Sequence, residues 1–172
     1  KGLKVVFSKD IELTQPLHKT TIANVLMDDE QNLYYTEKQY LKNETESEDY
    51  SKLFVASYKS EKDSLLKTEI TINENRFLDV NLQLNTQGNL ICTGNYAIEK
   101  TSGSNWEESH TLKGVFYTIL ELEKLNTLSQ AQYNIQDLFP EEKFYHYYLT
   151  NTFQLDENNL VVICEFQNTI CD

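Results

Sequence analysis

The sequence predicts an all-β fold of repeated, antiparallel four-stranded units, and three observations carry that prediction. Apolar and polar residues alternate with the period of a strand: Val80, Leu82 and Leu84 share one side with Asn81 and Gln83 between them, and Ile70 and Ile72 flank Thr71 likewise. Tyr, Phe, Thr, Val and Ile are plentiful, and no window of a dozen residues keeps a capped apolar stripe of helical spacing. Finally, the stretch LNTQGNLICTG from Leu84 to Gly94 rewrites MDDEQNLYYTE from Met27 to Glu37 at an offset of 57 residues.

Each element can be justified in order. Leu3 to Phe7 and Ile11 to Leu13 read as a strand or two of a preceding unit. The first full copy places a strand on each side of the Asp28–Asn32 turn, then a polar segment, then Lys52–Tyr58, a Lys/Glu/Asp/Ser turn, and Leu65–Ile72. The second places strands around Gln87-Gly88-Asn89, then Lys113–Ile119, a Glu/Lys/Asn turn and Leu125–Ile135, so that Phe116 answers Phe54 and Ile135 answers Ile72. Gly and Asn suit these turns because they tolerate positive φ where two strands reverse. A third copy begins at Thr152–Ile163, with Asn159-Leu160 matching Asn89-Leu90 and Asn32-Leu33. One helical turn is expected at Asp137–Tyr145, with Pro140 early and Glu141 and Glu142 near its positive end.

Four short strands repeated at a fixed period are the signature of propeller blades. Leu84–Gly94 resembles the bacterial β-propeller repeats that read approximately Asp-x-x-Gly-Asn-Ile-Tyr-Val-Thr-Gly, and Leu53-Phe-Val-Ala-Ser57 is similar to their second hairpin. The resemblance covers roughly residues 21 to 166 and implies fold, without functional residues. It places blade-like units at about 21–72 and 77–135 and a partial one at 144–166, within a single β domain or propeller segment over 1–172. Such repeats occur in secreted and cell-surface proteins, so the resemblance implies an extracytoplasmic location. The first copy departs from the pattern with Gln31 and Glu37 where Gly is expected.

Three units fall short of the four or more blades of a closed propeller, and open strand edges template association unless covered. The chain is therefore expected to belong to a longer propeller, to close a ring with a second copy, or to fold instead as a β-sandwich or small barrel whose repeats are simply hairpins. The start at Lys1, without Met or a basic-then-apolar leader, reads as a processed chain or part of a longer one.

The net charge of −12 argues against nucleic acid and anionic lipid as partners, because the long-range terms are repulsive. No apolar run approaches the roughly 20 residues of a membrane helix, and no membrane insertion is expected. Cys92, Cys164 and Cys171 match no metal-binding spacing and read chiefly as small buried residues, with a Cys92–Cys164 bridge left open. Asn43-Glu44-Thr45 has the form of a glycosylation acceptor. Nucleophile boxes, phosphate-cradling glycine motifs and a complete calcium loop are missing, and Asp28-Asp29-Glu30 reads as a solvated acidic turn. No cofactor or metal is expected.

The informative site feature is positional. The long polar segments Tyr40–Tyr50 and Tyr96–Leu112 occupy the same place in the two copies, and so emerge at the same end. Together they bring Tyr50, Trp106, Glu107, Glu108 and His110 into an acidic rim around the sole tryptophan, where a ring of large apolar area suits a glycan or protein contact. The function expected is a non-enzymatic binding or scaffold segment presenting this face to a protein or carbohydrate partner. The alternative is a hydrolase acting on glycans or esters, with carboxylates and His110 converging there. The aromatic run Phe144–Tyr148 is read as packing rather than a ligand platform.

Overall fold

The computed structural model describes residues 10, 16–42, 49–73, 75–98, 112–137, 140, 147–154 and 160–166. Ten strands follow one another: β1 Thr20–Met27, β2 Leu33–Lys42, β3 Asp49–Lys59, β4 Ser64–Ile70, β5 Asn75–Leu84, β6 Asn89–Ile98, β7 Leu112–Glu121, β8 Thr127–Asn134, β9 Tyr147–Gln154 and β10 Leu160–Phe166. They form two four-stranded sheets, β1-β2-β3-β4 and β5-β6-β7-β8, and a two-stranded sheet of β9 and β10. Every pairing is antiparallel and every neighbour is consecutive in the chain. The all-β, four-stranded antiparallel class read from the sequence is thus the class observed. Among the described residues there is no α-helix and hence none long and apolar enough to cross a membrane.

The turns at Asp28–Asn32 and Asn85–Asn89 carry matching hydrogen bonds. Gln31 N donates to Asp28 O and Asp28 N to Asn32 O, and the second copy has Gly88 N to Asn85 O and Asn85 N to Asn89 O, all between 2.9 and 3.1 Å. Asp28 Oδ1 accepts from the amides of Glu30 and Asn32, as Asn85 Oδ1 does from Gln87 and Asn89. These side chains satisfy turn amides that the ladder leaves over. The fourth turn residue needs a left-handed backbone, and Gly88 (φ 77°) and Gln31 (φ 65°) both adopt it. Gln31 accepts the conformation at a steric cost that Gly88 avoids.

Directly opposed residues of antiparallel strands share a face. Leu26, Tyr34, Leu53, Val55, Leu66 and Ile70 of the first sheet enter one core with Phe77, Leu82, Leu90, Cys92, Tyr96, Phe116 and Leu120 of the second. In β7 the alternation is complete, with Leu112, Gly114, Phe116, Thr118 and Leu120 buried and the residues between them half-buried. Cys92 is a free thiol with no exposure, so no bridge to Cys164 forms, and its burial pushes the thiol up to about 12.

Bulges interrupt β1 at Ala23/Leu26 and β5 at Phe77/Val80. A bulge turns backbone groups out of the ladder, and the first sheet meets them with side chains. Asn24 Nδ2 donates to Val80 O at 2.9 Å, and Lys38 Nζ donates to Phe77 O at 2.6 Å and to Leu78 O at 3.4 Å. Burial lowers Lys38 to about 8, with the Arg76 charge acting the same way and Asp79 opposing. The third sheet continues the stack, with β9 against β5 and β6.

A 3-10 turn spans Ile135–Asp137, at the start of the segment expected to hold a helical turn. Beyond it only Pro140 of that segment is among the described residues.

Candidate functional site

Two glycines shape the loop-bearing end of the second sheet. A Cβ on Gly94 would stand 2.6 Å from Phe116 Cε1, because the Phe116 ring lies over it, edge-on to Phe77 with centroids 5.2 Å apart. Gly114, opposite Tyr96 in the β6–β7 ladder, is covered in the same way: a Cβ there would stand 2.6 Å from the Tyr96 hydroxyl and would collide with Tyr133 O. The ring therefore crosses β7, and its hydroxyl donates to Tyr133 O on β8 at 3.2 Å. Burial raises the Tyr96 pKa, a hydrogen bond from Gln132 opposes that shift, and the charge of Asp137 adds to it.

Beside this buried ring opens a cleft of about 380 Å³ lined by Asn73, Tyr96, Lys113, Gln132, Asn134 and Asp137. The residues come from the β4–β5 connection, from β6, β7 and β8, and from the 3-10 turn. The β4–β5 connection is fixed across β8 by Gln130 Nε2, which donates to Thr71 O. β6 ends at Ile98 and β7 begins at Leu112, so both strand ends lie close to Tyr96 and Lys113 of the cleft.

Trp106, Glu107, Glu108 and His110 lie outside the described residues. Tyr50 is placed, and its position corrects the expected loop boundary: it belongs to β3 and pairs with Leu41 of β2, so the connection in the first copy is shorter than Tyr40–Tyr50. The second connection is likewise shorter at its start, because β6 continues to Ile98. The pairs Tyr40–Ser51 and Leu41–Tyr50 extend the first hairpin beyond the point where the polar composition suggests it ends.

A second polar cluster lies within the first sheet. Glu37, 2 % exposed, receives Lys67 Nζ at 2.7 Å and Gln39 Nε2 at 2.6 Å, and Lys67 also sits 4.2 Å above the Phe54 ring. Every partner of this carboxylate is a side chain of its own sheet, and the pair neutralises itself, which suits structure better than chemistry. Among the described residues no group of three or more His, Cys, Asp or Glu is disposed to hold a metal ion. His18 is exposed in the 3-10 turn Leu17–Lys19.

No protein-family model matches the chain, and comparison with curated proteins and with solved structures returns no match.

Proposed function

We propose that the chain is a non-enzymatic binding segment of a propeller-like protein, extracytoplasmic, that presents its loop-bearing end to a glycan or protein partner. The observation that carries the reading is the open polar cleft at the root of the β6–β7 connection, the connection that holds Trp106, Glu107, Glu108 and His110. The propeller-like organisation draws support from the stacking order. β5, the first strand of its sheet, packs against β1, β2 and β3, and β9, the first of the next, packs against β5 and β6. Successive blades meet in this manner, and further blades or a second copy would extend the same stack.

The hydrolase alternative has less support. Among the described residues the cleft carries one carboxylate, Asp137, whereas glycoside hydrolysis asks for two flanking the scissile bond.

The test is a glycan array probed with the full chain and with Trp106→Ala. Binding that is lost in the variant supports the assignment. Binding that Trp106→Ala leaves intact removes Trp106 from the site, and turnover of glycans or esters abolished by His110→Ala would replace the binding reading with the enzymatic one.

A further inference from the structure

We infer that the cleft over Tyr96 is a binding site for one neutral, hydroxyl-rich sugar unit, an inference that rests on the binding reading above and gives it a ligand and a set of contacts. Four properties of the cleft converge on that chemistry.

The first is size. About 380 Å³ falls inside the roughly 300–1,000 Å³ range of small-molecule sites, and the cleft is open to solvent rather than sealed. The second is lining. Three carboxamides, a phenol, an ammonium and a carboxylate surround the space, so an apolar ligand would strip water from them without replacing its hydrogen bonds. A ligand that fits must itself carry donors and acceptors at close intervals.

The third property is charge. Lys113 and Asp137 offset one another within the cleft, and the net charge of −12 repels anions at long range. Among the described residues lining it, nothing selects a formally charged ligand. Carboxamides, in contrast, match vicinal hydroxyls: each offers two N–H donors and an oxygen with two lone pairs, and each sugar hydroxyl both donates and accepts. Asn73, Gln132 and Asn134 thus supply a neutral, two-way hydrogen-bonding wall.

The fourth is rigidity. Tyr96 is 3 % exposed, is clamped over Gly114, and holds Tyr133 O and Gln132 through its hydroxyl. Its neighbours Lys113, Gln132 and Asn134 sit on paired strands, and such sites lose less on ligand binding than loops do.

The experiment is a 1H–15N NMR titration of the full chain with the methyl glycosides of glucose, galactose and mannose, with sodium acetate and glycine as charged and zwitterionic controls. Saturable shifts centred on the amides of Asn73, Tyr96, Lys113, Gln132, Asn134 and Asp137 are expected with at least one hexoside, with affinity near the millimolar level of a single-sugar contact. Gln132→Ala and Asn134→Ala, both at half-buried positions, should each weaken that binding about tenfold while leaving the spectrum dispersed. The inference is overturned by three results: no saturable shift with any hexoside at about 20 mM, shifts that neither variant affects, or saturation by acetate or glycine alone. Trp106→Ala separates this inference from the broader reading. Hexoside binding that survives Trp106→Ala but not Asn134→Ala keeps the cleft and removes the tryptophan, whereas array binding lost in Trp106→Ala alongside a blank hexoside titration keeps the scaffold reading and removes the cleft.

Discussion

Replacing Gly114 by alanine tests the geometry on which the cleft depends. The new methyl carbon would lie 2.6 Å from the Tyr96 hydroxyl and 2.8 Å from Cζ, and nearer still to Tyr133 O, where ordinary contact begins near 3.4 Å. The carbonyl belongs to the β7–β8 ladder, so the substitution displaces the ring and also strains that ladder, whose own cost comes in addition. A buried aromatic removes about 150–250 Å² from water, and at about 25 cal/mol/Å² its expulsion costs roughly 4–6 kcal/mol as an upper bound. The lost hydrogen bond to Tyr133 adds about 1 kcal/mol. With partial relaxation the expected loss is about 3–5 kcal/mol, read as the shift in urea midpoint by far-UV circular dichroism at constant m. Gly88→Ala is the control: nothing lies within 4 Å of its Cβ, and only its φ of 77° is penalised, at about 1 kcal/mol. A Gly114→Ala loss no larger than the Gly88→Ala loss would refute the claim that the ring is clamped on the glycine.

Two further expectations follow from the same structure. Gln31→Gly should stabilise the chain by about 0.5–1 kcal/mol in urea titration, because it relieves the left-handed φ of 65° that Gly88 meets without strain; destabilisation would mean that the Gln31 side chain contributes more than its backbone costs. Lys38 sets a pH dependence. Its folded pKa of about 8 lies below the ordinary 10.5, so the unfolded chain holds more protons between those values and stability rises with pH across that window. The gain from pH 7.5 to 9.5 should be about 1–2 kcal/mol by chemical denaturation, and it should vanish in Lys38→Met. The upper limit stays below the ordinary tyrosine value of 10.0, since Tyr34, Tyr35 and Tyr96 are all raised in the fold and lose stability above it. A flat profile in the parent chain would mean that Nζ is better hydrated than its bonds to Phe77 O and Leu78 O indicate.

The strands and the turns were legible because their determinants are local. Asp28 and Asn85 cap their turns through side chains within four residues, and the alternation of Val80, Leu82 and Leu84 names its own buried face. The bulges at Ala23/Leu26 and Phe77/Val80 were not, because one extra residue shifts the alternation without any compositional mark, and Asn24 reveals its role only when Val80 O arrives from the other sheet. Glu37 reads from sequence as a departure from glycine; its partner Lys67 is two strands away and is fixed only by the β3–β4 register. The cleft was the least legible feature. Its six residues are spread from Asn73 to Asp137, follow no spacing, and are brought together by the β6–β7–β8 register.

A comparison of the two four-stranded sheets shows where the cleft comes from. At Phe54 and Phe116 the two copies share a ring, yet the strand partner beneath it is Glu37 in one and Gly94 in the other. The first copy fills the space with a carboxylate neutralised by Lys67, the second with the ring itself. Both solutions keep the same ladder, so the repeated positions specify backbone and tolerate any chemistry that packs. The same comparison at the next pair up the strands gives Tyr96 over Gly114 in the second copy against Gln39 beside Lys52 in the first, where Gln39 is spent on Glu37 and Lys52 on Glu69. Without a glycine to lie on, no ring can form a floor there. The polar cleft therefore arises from what the second sheet does not share with the first, and under the proposed reading a ligand held there would recognise the second sheet alone.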